Sequence, residues 1–296
     1  MQSFNNNRTI IIINPKAGPK RLDFVTSNLK RYKNELDYTS ISEIEEFRSF
    51  IRKNIDKYDL FIVAGGDGTV NSLASELADT DKIIGVLPAG SGNGFAREMG
   101  FKKNLRWLLH NIRKNESFYT DVLYINDRIC INVAGVGIDS FVAHGFHHLP
   151  RRGLWNYMIM SLRSAALIRP FTVSIKHGNK TSEETVYMVS VANTRQFGNN
   201  ALIAPGAIPN DGKFNVAVVK PFRWYLFPYF AVKMLSGKLK ESKYLYYLVT
   251  DDPVEITTAE NRFHIDGEPV LINDKITVTI RKNALRVLKT DLNRWV

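Results

Sequence analysis

Two textures of hydrophobic patterning divide the chain near residue 120. Before it, short unbroken apolar runs alternate with segments whose apolar positions recur every three or four residues. Thr9–Asn14 is a β-branched run closed by Pro15. Leu60–Ala64 is wholly apolar, and Lys82–Leu87 repeats the signal. Such runs, lacking polar alternation, suit strands buried on both faces of a parallel sheet. Arg21–Glu35 aligns Leu22, Val25, Leu29 and Tyr32 on one helical face. Ser42–Lys57 does the same with Ile44, Phe47, Ile51 and Ile55, and Ser42 with Glu45 forms a capping-box pattern at its start. Further helices are expected over Val70–Leu77 and from Gly94 to Met99. The βαβα order predicts a doubly wound α/β domain.

Beyond Thr120 the strand signals follow one another: Asp121–Asn126, Arg128–Ala134, Phe171–Lys176, Thr185–Ala192, Lys213–Val219, Val254–Thr258, Arg262–Ile265 and Lys275–Arg281. Helical stretches near Trp155–Ile168 and Trp224–Leu235 interrupt them. A mostly-β sandwich or barrel is the expected second domain. No Pro/Gly/Ser-rich linker marks the join. The reading therefore divides the chain into 1–122, α/β, and 123–296, a β-sandwich whose last residues have room to return to the first domain.

Composition adds limits. Of the 296 residues, 44% are hydrophobic and 23% charged, an ordinary globular balance that supports one large or two modest cores. The most apolar stretches, Leu154–Phe171 and Trp224–Leu235, are broken by Asn156, Arg163 and Arg169, and by Pro228 and Lys233. Neither offers the roughly 20 apolar residues of a membrane span. Met1–Arg8 is polar and rich in Asn, unlike a signal peptide. The single cysteine, Cys130, excludes an internal disulfide and fits a reducing, cytoplasmic setting; its apolar neighbours suggest a packed core thiol. A net charge of +11 favours polyanionic partners. No basic stripe with interleaved aromatics points to nucleic acid.

The chemistry concentrates after the strands. Gly65-Gly66-Asp67-Gly68-Thr69 follows Leu60–Ala64 and precedes a helix. Its glycines permit positive φ and uncover backbone N–H groups, which at a helix start make an anion site. Thr69 and Asn71 can cap that helix or donate to phosphate oxygens. Asp67 would repel a bare phosphate, but it suits a Mg²⁺-bound one, since Mg²⁺ is held by one or two carboxylates plus phosphates and water. The alternative is a glycine-rich turn with Asp67 as a cap. Two companions weigh against it: Pro88-Ala89-Gly90-Ser91-Gly92-Asn93-Gly94 after the next strand, and Asn14-Pro15-Lys16-Ala17-Gly18 after the first. Loops at the carboxyl ends of successive parallel strands converge on one crevice. There is no Walker A sequence and no protein-kinase motif set, and the Gly90–Gly94 loop lacks dinucleotide G-x-G-x-x-G spacing.

These segments, in order and spacing, resemble the diacylglycerol kinase catalytic-domain family, which includes soluble bacterial lipid kinases and the sphingosine and ceramide kinases. Asp121-Val122, Asn132–Asp139, Ala204–Lys213 and Ile265–Pro269 continue the likeness, so it spans nearly the whole chain. It implies ATP bound between two domains by Asn14, Lys16, Gly18, Thr39, Gly65, Gly66, Asp67, Gly68, Thr69, Val70, Asn71, Ser72, Gly90 and Ser91. It also implies catalytic Mg²⁺ near Asp67 and Asp121 through water. A structural Mg²⁺ would sit at Asp211 with the carbonyls of Ile208 and Lys213, and Glu268 would be the proton acceptor. From the residues alone, Asp266-Gly267 is a hairpin turn with Glu268 just past its tip.

One departure stands out. Many bacterial members carry Asn-Asp-Phe-Ala-Arg at the end of the loop after Lys82–Leu87, whereas this chain has Asn93-Gly94-Phe95-Ala96-Arg97. That form resembles the sphingosine kinase variant, so the acceptor lipid stays open among diacylglycerol-like, sphingoid-like and phosphatidylglycerol-like classes. NAD kinase, which shares the Gly-Gly-Asp-Gly-Thr loop, is the rival enzyme, and a non-catalytic nucleotide or lipid sensor the rival from another class. The expected partner is a lipid met transiently at a membrane surface; nucleic acid is not expected, and a homodimer is allowed. His144, His147 and His148 fall at helical spacing without a completing ligand set, and read better as a polar face than as a metal site. Arg151, Arg152 and the aromatics Trp224, Tyr225, Phe227, Tyr229 and Phe230 suit either a bilayer surface or core packing.

Overall fold

In the computed structural model the described residues are 8–17, 29–32, 36–138, 140, 169–273 and 275–295. Most of the helix expected over Arg21–Glu35, all of Trp155–Ile168, and Gly18, Asp139, His144, His147, His148, Arg151 and Arg152 lie outside them. The chain separates into two compact units, Met1–Thr120 with Asn283–Val296, and Asp121–Lys282.

The first unit is an α/β layer structure. Strands β1 (Thr9–Ile13), β2 (Asp37–Ser40), β3 (Leu60–Gly65) and β4 (Ile83–Pro88) run parallel in the order β2-β1-β3-β4. β1, β3 and β4 are buried along their whole length, as their unbroken apolar sequences require. Helix α1 (Ile44–Asn54) buries Phe47 and Ile51. The Ser42 capping box does not form: Glu43 holds the N-cap position without a side-chain cap bond, and its carboxylate takes Lys16 Nζ at 2.6 Å. Helix α2 (Asp67–Leu77) begins three residues earlier than its apolar period indicates, and is followed after β4 by a short α3 (Gly94–Glu98).

Helix α4 (Leu105–Lys114) was not among the expected elements. Asn104 caps it by accepting the Trp107 N–H at 3.0 Å, and Leu105, Leu108, Leu109 and Ile112 face inward. The C-terminal segment completes this unit. Arg286 and Val287 pair in parallel with Ile83 and Ile84 beside β4, Asp79 N–H donates to Ala284 O at 2.7 Å, and Asp291 N–H to Asn111 Oδ1 at 3.0 Å.

The second unit is a β-sandwich. One sheet has β7 (Val133–Gly137), β10 (Met188–Ala192), β11 (Phe214–Val219), β12 (Leu245–Thr250), β14 (Arg262–Ile265) and β15 (Glu268–Leu271), in the order β12-β11-β10-β7-β14-β15. In the other, β13 (Val254–Thr258) lies between β8 (Phe171–His177) and the first part of β16 (Lys275–Leu288), with β9 (Lys180–Val186) outside β8. β5 (Ser117–Ile125) pairs with β6 (Arg128–Cys130) and with β16. Val136, Val191, Phe214 and Phe263 from the first sheet pack with Val173, Ile175, Val254, Ile256 and Val278 from the second. The outer face of the six-stranded sheet is covered by Ile203, Phe222, Leu239 and α5 (Phe227–Leu235), which follows one 3₁₀ turn at Trp224–Leu226.

Two expected strands are each divided in two, for identifiable reasons. Thr185–Ala192 switches sheets at Tyr187, whose N–H donates to Val219 O at 2.8 Å and whose carbonyl accepts Ile138 N–H at 3.2 Å. Gly137 opposite has φ +109°, and a Cβ there would stand 2.3 Å from that carbonyl. Arg128–Ala134 breaks at Ile131-Asn132 because those N–H groups turn to the buried Asp266 carboxylate. Ile131, Asn132 and Val133 donate to it at 3.0, 2.8 and 3.2 Å.

Cys130 is fully buried, and its thiol donates to Asp266 Oδ1 at 3.2 Å. Burial, then the neighbouring carboxylate, pushes the thiol well above its ordinary range. Because the thiolate is the reactive form, alkylation of the folded protein should stay slow and flat between about pH 7 and 9, becoming complete only after guanidinium unfolding. A rate that climbs through that window, measured by mass spectrometry of the iodoacetamide adduct, would contradict this burial.

Candidate active site

The three glycine-type loops meet at the carboxyl ends of β1, β3 and β4. Asn14, the residue after β1, donates its N–H to Ala64 O at 3.0 Å. Its Nδ2 donates to Thr69 Oγ1 at 2.9 Å, and its Oδ1 accepts Lys16 N–H at 3.0 Å. One side chain thus ties the first loop to the second. The first hydrogen bond within α2 runs from Val70 N–H to Gly66 O, 3.1 Å, so the N–H groups of Asp67, Gly68 and Thr69 have no partner inside the helix. Gly66 is the N-cap, without a side-chain cap bond; Thr69 and Asn71 lie inside the helix rather than capping it. Ser72 is buried and donates to Gly68 O at 2.9 Å.

The second and third loops approach through bare backbone. Ala89 N–H donates to Gly65 O at 2.9 Å, and a Cβ on Gly90 would stand 2.6 Å from the Gly66 Cα. Asp67 crosses the gap: its Oδ2 accepts Asn93 N–H at 2.7 Å, and a Cβ on Gly92 would crowd that oxygen at 2.9 Å. Asn93 is buried, adopts φ +52° ahead of α3, and donates Nδ2 to Gly90 O at 2.7 Å. Its Oδ1 is buried and has no hydrogen-bond partner among the described residues. Lys103 Nζ reaches Gly90 O at 3.3 Å and Arg97 Nε reaches Gly92 O at 3.2 Å, so loop carbonyls that would repel a phosphate are occupied by cations.

Not every residue of the expected nucleotide set joins this cluster. Lys16 sends its ammonium to Glu43 rather than leaving it as bare positive charge, and Thr39 sits within β2 in register with Ile12. Ser91 is exposed at the tip of the third loop.

In the second unit Asp121 is buried, and its Oδ2 accepts Gly212 N–H at 2.7 Å. Its own N–H donates to Pro209 O at 2.7 Å, and its carbonyl accepts Asn193 Nδ2 at 2.8 Å. The turn holding Ile208, Asp211 and Lys213 is therefore built on Asp121, and is closed by Lys213 N–H donating to Asp211 Oδ1 at 2.9 Å. Asp266 and Gly267 have φ +52° and +86°, the signature of a tight hairpin turn, which puts the exposed Glu268 at the first position of β15. Among the described residues no group of three or more His, Cys, Asp or Glu side chains is placed to hold a metal by itself.

Sequence reasoning missed the residues that organise these loops: Asn93, Arg97, Lys103, Asn193 and Asp266 acting as an acceptor. The one available signal was an Asp before Gly at a turn, which does not show that the carboxylate is buried.

Residues 8–125 match the diacylglycerol kinase catalytic domain, and residues 132–289 match the YegS C-terminal NAD kinase beta sandwich-like domain. The chain belongs to the diacylglycerol kinase catalytic-domain family in its two-domain, YegS-like form, a family of lipid kinases. It is 25% identical over 301 residues to the Staphylococcus carnosus protein named "Putative lipid kinase", covering 97% of this chain and 98% of that one. It is 26% identical to the diacylglycerol kinase of Bacillus subtilis, over 72% of each chain. A crystal structure of a diacylglycerol kinase from Bacillus anthracis superposes with a TM-score of 0.70 at 19% identity, covering 96% of this chain and 97% of that one. No helix among the described residues is long and apolar enough to cross a membrane.

The close approach of loops two and three gives a direct test. Gly90→Ala should force the Gly66 backbone away and weaken binding of a non-hydrolysable ATP analogue by at least about tenfold, with the circular dichroism spectrum retained. Gly206→Ala, where a Cβ meets nothing within 4 Å, should change neither. Calorimetric titration of both variants decides; unaltered affinity in Gly90→Ala removes this junction from nucleotide binding.

Proposed function

We propose that the protein is an ATP-dependent lipid kinase that passes the γ-phosphoryl group to the hydroxyl of a diacylglycerol-like, sphingoid-like or phosphatidylglycerol-like lipid. The observation that carries this is the Asp67–Asn93 bond across the Gly66/Gly90 approach: a carboxylate fixed at the start of α2, where first-turn N–H groups have no partner within the helix. The residues present fit a Mg²⁺-nucleotide. The donors are oxygens, as Mg²⁺ prefers, and the buried, unpartnered Asn93 Oδ1 faces the same loop junction. A metal bound by phosphates and water needs only one or two carboxylates, so the lack of an all-protein cage among the described residues is no obstacle. Mg²⁺, when bound, supplies charge neutralisation on the phosphate oxygens.

The chain's own residues then divide the work. Gly65–Thr69 presents backbone N–H groups to the phosphates, and Asn14 holds Thr69 in place. Asp67 and Asp121 would be the carboxylates toward the catalytic Mg²⁺, acting through water. Glu268 accepts the proton of the lipid hydroxyl, a modest contribution beside positioning and charge neutralisation. Asp211, with the carbonyls of Ile208 and Lys213, is the proposed structural Mg²⁺ set on the turn anchored by Asp121. Gly94, where many relatives carry Asp, removes one carboxylate from the metal side, and with it the presumption that diacylglycerol itself is the acceptor. The setting we infer is the cytoplasm, with transient membrane contact.

The experiment is incubation of the protein with labelled ATP, Mg²⁺ and total membrane lipid, followed by extraction; label in an organic-phase lipid is the expected result. NAD in a parallel tube covers the rival, since formation of NADP without labelled lipid would replace this reading. Asp67→Asn keeps an acceptor for the Asn93 N–H but loses the charge. It should lower turnover by at least about a hundredfold with an unchanged melting curve. Activity that survives the substitution would take Asp67 out of the mechanism.

A further inference from the structure

The segment Lys220–Lys243 divides its apolar side chains between two opposite faces. Leu226, Phe227, Phe230 and Met234 pack with Phe222, Leu239 and Leu245, and Phe222 lies 4.7 Å from Phe227 and 5.5 Å from Phe230 between ring centroids. The helix is therefore fixed to the sandwich by one side. The other side carries Trp224, Tyr225, Tyr229 and Val232, exposed by 75, 52, 62 and 62%. These four are spaced along one stripe of the 3₁₀ turn and α5, and core packing accounts for none of them.

The charged side chains of the segment through Lys240 have one sign. Arg223, Lys233, Lys238, Lys240 and Lys243 flank it, and no carboxylate occurs between Lys220 and Lys240. None of these five cations forms an ion pair among the described residues. Arg223 instead donates to the Tyr225 hydroxyl at 3.2 Å, and Lys233 Nζ lies 5.3 Å from the Tyr229 ring centroid. Glu241, the one acid within the segment, accepts the Tyr247 N–H at 3.2 Å, and Glu184 pairs with Lys220 at the segment's start.

We propose that this face docks onto an anionic lipid bilayer. Trp and Tyr rings favour the headgroup boundary, and unpaired cations around them are drawn to negatively charged headgroups. A second copy of this chain is a poorer occupant, because a two-fold contact would set five cations against five. The inference rests on the lipid-acceptor reading only for its choice of partner, and docking is measurable without turnover.

The test is co-sedimentation of the full chain, without ATP, with phosphatidylcholine vesicles containing or lacking phosphatidylglycerol. The expected result is binding that requires phosphatidylglycerol and falls with added salt. Lys238→Glu with Lys240→Glu should weaken it by at least about thirtyfold, as the loss of roughly one attractive contact per cation implies. Trp224→Ala with Tyr229→Ala should weaken it too, with both variants melting like the parent because these side chains are exposed. Equal binding to both vesicle types, undiminished binding by both variants, or a dimer in sedimentation velocity that Trp224→Ala with Tyr229→Ala dissolves would overturn the proposal. Transfer to a lipid acceptor in neutral detergent micelles is assayed separately: its failure would count against the kinase reading and leave the docking result standing.

Discussion

Gly66 and Gly90 lie so close in this fold that a Cβ on Gly90 would stand 2.6 Å from the Gly66 Cα, and the glycine loops of the first unit are arranged around that contact. Parallel pairing of β3 with β4 delivers both loops at the same height, and the Ala89–Gly65 hydrogen bond carries the pairing one step beyond the sheet. With no Cβ between them, Asp67 can reach the Asn93 N–H. A side chain at 90 would separate the helix start from the loop that faces it, and the two loops would no longer converge.

Backbone amides captured by carboxylates recur as the fastening of this molecule. Asp67 takes the Asn93 amide, Asp121 takes that of Gly212, and Asp266 takes those of Ile131, Asn132 and Val133. Each is a charge-assisted bond from a carboxylate to the main chain, and those at Asp121 and Asp266 are buried, where leaving either partner unmatched would be costly. The same preference of N–H groups for anionic oxygen that suits a phosphate thus also fixes the loops in place. The hairpin carrying Glu268 gains its anchor this way, from a residue two positions earlier whose side chain points inward while Glu268 stays exposed.

The parts of the fold legible in the sequence were those where one physical demand dominates. β1, β3 and β4 are buried on both faces, so their composition alone marks them; the glycine loops are marked by the space the backbone needs. Elements set by tertiary partners were harder to read. β2 is short, polar and at the sheet edge. α4 has the Leu105, Leu108, Leu109 and Ile112 spacing of a helix, but Arg106, Trp107 and His110 lie between and blunt the pattern. The splits at Tyr187 and Ile131 depend on Val219 and Asp266, far along the chain. Ser42 does not cap α1 because the helix starts one residue later, with Glu43 at the N-cap and its carboxylate on the distant Lys16. Asn93 became part of the site only because an αL residue there turns its amide toward Asp67.

The pairing of Arg286 and Val287 with Ile83 and Ile84 imposes an order of events during synthesis. On the ribosome, β1 through α4 emerge early, yet the exposed flank of β4, the Asp79 amide and the Asn111 side-chain oxygen find their partners only when residues 284–291 have left the exit tunnel. Until then the sandwich strands, made in the interval, must fold while the nucleotide-type unit waits with an open sheet edge. Such an edge invites pairing with foreign strands, so this interval is when a nascent chain would most benefit from a chaperone.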